Sequence, residues 1–454
     1  MKKLFCMLIV AMVTPLLSGC FGSSGSSADP PSNFTPTPGD GRVMLTWTAS
    51  PGVDYWIFSD TDPGLTAFNL QGLNQYVHPS ATSPFYMCGL FSGTPYYFAA
   101  NGRTNGGPGG SSSPTYPATP YNASDSAYWH ANAPLSSQNI YGVGYASLTT
   151  CSNNAISATG SFAAVGAGGT ILTSNSYDGQ NWHSLTWNSP IWNTPANLPP
   201  EFDLYAVTGY TANLNNLTTP GLRWVAVGAG EGSVYSTDGI NWYIGRVADL
   251  SNPSLRSLTQ VAGTFFAVGD AGTILSSPDG ITWTIHTSGT NSNLRGVTHG
   301  AIYVAVGDSG TILTSGDTNT WTTQTSVTPS IPPISLQQVT SVGSIYVAVG
   351  NRGTIVTSIN GGATWTSQSL GTPNLVSVVA ESQFVINAVA DPLLGFISNA
   401  QFVAVDSTGN AYTSTNGLTW SSAISTGASS LNALVSSGFG YVATGNAGAT
   451  AYAF

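Results

Sequence analysis

Residues 265–283 read FFAVGDAGTILSSPDGITW, and the pattern returns at 303–321 as YVAVGDSGTILTSGDTNTW and at 346–365 as YVAVGNRGTIVTSINGGATW. Each copy opens on an aromatic residue followed by a short apolar run that ends in Gly. A Gly-x-x-Gly segment turns the chain into a second apolar run, an Asp-Gly or Asn-Gly type turn follows, and the copy closes on Trp. Short β-branched runs divided by glycine turns read as hairpins. Looser copies span Phe162–Trp182, Trp224–Trp242 and Phe402–Trp420, and Tyr441–Gly448 begins one more. A Leu-x-x-Val strand precedes several copies, as at Leu294–Val297 and Leu336–Val339. Four short strands repeated at this period predict a β-propeller. The small residues suit tightly packed inner strands, and the tryptophan can cover the seam between neighbouring sheets.

The tryptophans give the blade count. Complete copies end at Trp182, Trp242, Trp283, Trp321, Trp365 and Trp420, whereas the last copy lacks its final strand. Just before the first copy, Ser124–Trp129 repeats the Asp-to-Trp spacing of Asp238–Trp242 and Asp279–Trp283. The expectation is a seven-bladed propeller over 121–454, closed by an outer strand from its N-terminal end. Such closure removes two exposed sheet edges.

Composition fits this reading. Of 454 residues, 41% are hydrophobic, 11% aromatic and only 6% charged, with 53 glycines. That is a turn-rich all-β chain and not a solvated tail. Both lysines, Lys2 and Lys3, stand at the start, and the rest of the chain sets seven arginines against 19 acidic residues. No basic footprint exists for nucleic acid, which is excluded as a partner.

Residues 1–19 read as a signal segment, with a basic start and an apolar stretch, Leu4–Leu17, too short to span a bilayer. Leu17-Ser18-Gly19-Cys20 resembles the lipobox of bacterial lipoproteins, which implies lipidation of Cys20 and stable anchoring. Phe21, where an aspartate would imply inner-membrane retention, points to the outer membrane. Residues 20–30 are then the lipidated cysteine and a flexible tether. Cys6 leaves with the signal, so Cys88 and Cys151 remain: either a disulfide linking two domains or two separate thiols.

Residues 31–120 show short alternating strands, among them Arg42–Trp47, Tyr55–Phe58 and Tyr96–Ala99, with Asp60–Ser83 irregular between them. Trp47, Leu90 and Tyr96 make this stretch similar to a fibronectin type III domain, which implies a spacer or binding surface. Asp60-Thr61-Asp62 before Pro63-Gly64 reads as an Asp-rich turn rather than a calcium site. The repeats of 121–454 resemble the BNR/Asp-box class, and within it the propeller family named for photosystem II assembly and stability factors. The box turn here is usually one residue short, only Asn360–Trp365 having full spacing. The arginine-rich patch of photosystem members has no counterpart among Arg223, Arg246, Arg256, Arg295 and Arg352, and a fold hosts many functions.

Catalysis finds little support in the sequence. Gly307-Asp308-Ser309-Gly310 looks like a serine-protease nucleophile segment, but its sister copies make it a hairpin position. The box aspartates Asp178, Asp238, Asp279 and Asp317 recur once per copy, as turn residues do. His130 and His183 follow repeat tryptophans on different blades, no histidine pair has metal-ligand spacing, and neither metal nor cofactor is expected. Asp-box propellers include sialidases and xyloglucanases, so a polysaccharide-active glycoside hydrolase is the alternative function, with Asp270 and Asp308 as its best acidic pair. The preferred reading is a cell-envelope lipoprotein acting as a non-catalytic binding or assembly scaffold for a protein or carbohydrate ligand. Its candidate docking residues are Trp187 and Trp192 between blades, and Phe384 and Phe396 in a long sixth-blade hairpin.

Overall fold

The structure is a computed structural model describing residues 25–39, 42–65, 76–83, 85–88, 90, 93–120, 129–147, 150–152, 155–157, 160–174, 182–185, 203–209, 224–237, 239, 241–245, 253–324, 334–384, 398–437 and 440–453. The protein is all-β and divides into two compact units. Among the described residues, no helix is long and apolar enough to cross a membrane.

The first unit holds two five-stranded sheets. One runs Ser26–Ala28, Tyr96–Thr104, Asp54–Asp60, Tyr76–Ala81, with Tyr116–Ala118 also pairing Tyr96–Thr104. The other runs Thr150–Ser152, Ala155–Ser157, Phe85–Cys88, Arg42–Thr48, Ser32–Gly39. Alternation puts Val43, Leu45, Trp47, Tyr55, Ile57, Tyr96 and Phe98 into one buried core, where Trp47 meets Tyr55 edge-on at 6.2 Å. Asp60 Oδ1 accepts the backbone N–H of Thr61 at 2.6 Å and of Asp62 at 3.3 Å, so this acidic stretch serves its own turn.

Three expectations change here. Ser26–Ala28 pairs with Gly102–Thr104, so the end of the expected tether belongs to a sheet. Tyr76–Ala81 is a strand inside the stretch read as irregular. The third concerns the cysteines. Residues 151–157 fall in this unit rather than in the propeller, and Ala155–Ser157 lies between the strands carrying Cys151 and Cys88. Cys88 and Cys151 thus fall in one unit, so a bond between them would not link two domains.

The second unit is a β-propeller domain. Its described residues form seven four-stranded antiparallel sheets with inner strands Ile140–Ser147, Leu204–Gly209, Leu255–Val261, Leu294–His299, Leu336–Val342, Leu375–Phe384 and Ala433–Ser436. Each inner strand packs on that of the next sheet, and the seventh on the first. The approach is close enough to exclude side chains in places: a Cβ at Gly142 would stand 2.6 Å from the Tyr205 carbonyl oxygen.

Seam packing follows from the repeat. Trp242 packs with Ala163, Val165 and Ile171 of the preceding sheet, Trp283 with Val225 and Val227, Trp365 with Val304, Val306 and Ile312. Trp182 reaches Val442 of the seventh sheet, and Trp129 reaches Val403 and Val405 of the sixth. The seventh sheet takes its outer strand, Trp129–Asn132, from the start of the domain, with Ala453 opposite Trp129 and Thr450 opposite Asn132.

Candidate functional site

One position of the inner strand builds the site. In the first six sheets the register shifts just after the leading Ile or Leu, between Ile140 and Gly142, Leu204 and Ala206, Leu255 and Ser257, Leu294 and Gly296, Leu336 and Gln338, and Leu375 and Ser377. A bulge adds one residue and re-aims a side chain. The bulged residues are Tyr141, Tyr205, Arg256, Arg295, Gln337 and Val376, and Asn432 follows Leu431 at the same place in the seventh copy. All seven line one cavity of about 460 Å³, with Asp203, Gln338 and Ser377, among the inner strands of the sheets.

The turn at the end of the second strand decides what each of these side chains does. Asp270 opens that turn in the third sheet, and Arg256 Nε and Nη2 donate to its two carboxylate oxygens, both at 2.9 Å. Asp308 does the same in the fourth sheet, where Arg295 Nε and Nη2 grip it and Asn293 Nδ2 donates at 3.1 Å. The Arg295 hydrogen bond is the main cause holding the Asp308 carboxyl below its ordinary value, and the Asp270 hydrogen bond raises the Arg256 guanidinium. In the seventh sheet, Asn432 Nδ2 donates to Asn446 Oδ1 at 2.8 Å from the same two positions. In the first and second sheets the turn residue is Ala167 or Ala229, and a tyrosine stands at the bulge. Tyr141 and Tyr205 lie 5.7 Å apart, and the Arg256 guanidinium sits 4.9 Å from the Tyr205 ring centre.

The sequence-predicted residues fare differently. Asp270 and Asp308 do not themselves line this cavity; each is gripped by the arginine of its own sheet, and it is that arginine that lines it. Ser309 occupies a left-handed turn position at φ 57°. Asp279 Oδ1 accepts the N–H groups of Ile281 and Thr282, both at 2.8 Å, and Asp317 accepts those of Asn319 and Thr320. Burial alone would push the Asp279 carboxyl up, but these hydrogen bonds and that from Ser277 carry it below its ordinary value. Phe384 ends the long inner strand of the sixth sheet. Cys20, Asp178, Asp238, Trp187, Trp192 and Phe396 lie outside the described residues. Among the described residues, no group of three or more His, Cys, Asp or Glu could hold a metal ion.

Sequence reasoning missed Tyr141, Tyr205, Arg256 and Arg295. A signal was present: the two copies with Arg after the leading Leu are the two with Asp after the Gly, at 256 with 270 and 295 with 308.

Residues 223–339 match the family model described as the DUF6242 beta propeller domain. No curated protein matches the chain. Among solved structures, "YCF48 bound to D1 peptide" is similar at TM-score 0.51 and 15% identity, over 72% of this chain and 94% of that one. The RRP9 WD40 repeats align at TM-score 0.51 and 8% identity, over 73% and 98%. The WD40 β-propeller domain of Doa1 aligns at 0.50 and 10%, over 71% and 96%. At these identities the likeness establishes the propeller fold.

Proposed function

We propose that this chain is a non-catalytic binding scaffold: a seven-bladed propeller, closed by its N-terminal outer strand, that docks a ligand at the channel mouth ringed by Tyr141, Tyr205, Arg256, Arg295, Gln337, Val376 and Asn432. The observation that carries this reading is the clamping of Asp270 and Asp308 by Arg256 and Arg295, which spends the best acidic pair on structure and leaves a fixed, polar, aromatic rim. A glycosidase of the paired-carboxylate type needs one carboxyl kept protonated or free to attack, and the Asp308 carboxyl is held in its ionised form. A similar propeller has been solved with a peptide bound, which supports a binding role for the shape.

The first unit fits a fibronectin type III-like spacer, and Cys20 a lipid anchor that holds both units at the cell envelope, on an outer membrane. Cys20→Ala should move the chain out of the membrane fraction and abolish lipid labelling. The binding reading is tested with the full chain as bait. A retrieved partner should be lost from Tyr205→Ala and Arg256→Ala variants, and no polysaccharide should be cleaved. Cleavage that Asp270→Asn or Asp308→Asn abolishes would restore the hydrolase reading.

A further inference from the structure

Resting on the binding reading above, we propose that the channel mouth takes a neutral carbohydrate, with Tyr141 and Tyr205 receiving a sugar ring and Arg256 and Arg295, each already matched by a carboxylate, reading its hydroxyls.

Charge comes first. The two arginines of the rim are each matched by a carboxylate, and Asp203 adds another acid to the lining. The mouth therefore has no net positive charge to draw an anion, and an acidic ligand would have to compete with carboxylates each already held by two hydrogen bonds from its arginine. A neutral hydroxyl does not compete. A guanidinium has five N–H donors, of which each clamp uses two, so donors remain for a ligand. A hydroxyl both donates and accepts, so a sugar hydroxyl can accept from a guanidinium while donating to the Asp203 carboxylate or the Gln337 amide oxygen of the same lining. The pairs are rigid because each partner fixes the other, so the geometry exists before the ligand arrives.

The remainder of the rim agrees. Tyr141 and Tyr205 stand side by side on the first two sheets, half-buried, with rings inclined at 49°. Tyrosine rings of this kind can offer an apolar face to the C–H face of a pyranose. Gln337 adds an amide from the fifth sheet, and Val376 is the single aliphatic side chain of the seven. A leucine-type anchor from a protein partner finds little apolar surface here. The cavity, at about 460 Å³, lies within the range of small-ligand sites, about 300–1,000 Å³, but its lining is mostly polar.

The test is calorimetric titration of the detergent-solubilised full chain with cello-, malto- and xylo-oligosaccharides of two to six units. Hexagalacturonate and an acidic decapeptide serve as charged comparisons, at low and high salt. Binding of at least one neutral series, indifferent to salt, weakened about tenfold by Tyr205→Ala and by Tyr141→Ala and kept by Tyr205→Phe, supports the inference. Absence of binding by every neutral series overturns it, as does salt-sensitive binding confined to the charged probes and lost in Arg295→Gln. Failure of the parent reading looks different: every retrieved partner and every bound probe is then untouched by all of the mouth variants, and both readings fall together.

Discussion

Two positions of the same repeat behave in opposite ways. The box turn before each tryptophan keeps nearly one chemistry: Asp279, Asp317, Asn360 and Asn416 all accept backbone N–H groups a few residues on. The position that opens each inner strand, a bulge in the first six sheets, changes from sheet to sheet, through tyrosine, arginine, glutamine, valine and asparagine. A residue required by every sheet is scaffold, because each sheet solves the same folding problem. A position free to differ around a ring is where a site can be built without disturbing the fold. In a repeat protein, chemistry is therefore sought where the copies disagree.

Mutations can break that comparison, and the seam should give the largest effect. Trp365 is 1% exposed, packs between two sheets and donates Nε1–H to the Gly362 carbonyl at 3.0 Å. Trp365→Ala should cost about 3–5 kcal/mol in denaturant unfolding, whereas Tyr141→Ala at the rim should cost under about 1 kcal/mol. Equal losses would erase the distinction between scaffold and site.

The box turn comes next. Asp279→Ala removes an acceptor of two backbone N–H groups and should cost about 1–2 kcal/mol. Acid titration sharpens the point. Asp279, Asp308 and Asp317 all have folded-state carboxyls below the ordinary value. Each contributes stability present above the unfolded value, about 3.9, and lost as pH falls through the depressed folded value. Thermal midpoints should therefore drop below about pH 4, and Asp279→Asn should flatten that drop.

Smaller still is the clamp. Arg295→Gln should let the Asp308 carboxyl climb back toward its ordinary value, visible by NMR titration, while stability changes by under about 1 kcal/mol, as expected of a partly exposed pair. Least of all is the turn between the second and third strands. Its second residue is left-handed in Ala271, Ser309, Arg352 and Ala447 alike. Ala271→Gly relieves that conformation but loosens the unfolded chain, so a net gain of under about 1 kcal/mol is expected.

Much of this fold is legible in the sequence because the tryptophan, the glycine turn and the small-residue strand each answer a local demand that recurs. Trp182, Trp283 and Trp365 mark seams before any coordinate is known. The rim is harder to read. A bulge is a backbone event, set by how two strands pair, and no residue type announces it: tyrosine, valine and arginine all occupy it. The clamp depends on residues 13 or 14 positions apart being carried to one end of a sheet, which becomes visible only once the hairpin between them is placed. The place of residues 151–157 in the first unit is hard to read for a related reason, since the pairing of Ala155–Ser157 with Phe85–Cys88 is long-range and leaves no local mark.

The pairing of Trp129–Asn132 with Thr450–Ala453 has a temporal consequence. More than three hundred residues separate the two strands, so the six other sheets can form on a nascent chain before the strand that pairs with Trp129–Asn132 has been made. Until then both ends of the array expose bare strand edges, and the molecule is most open to mispairing at the close of its own synthesis. A premature stop that removes only the final strand would leave that vulnerable interval permanent.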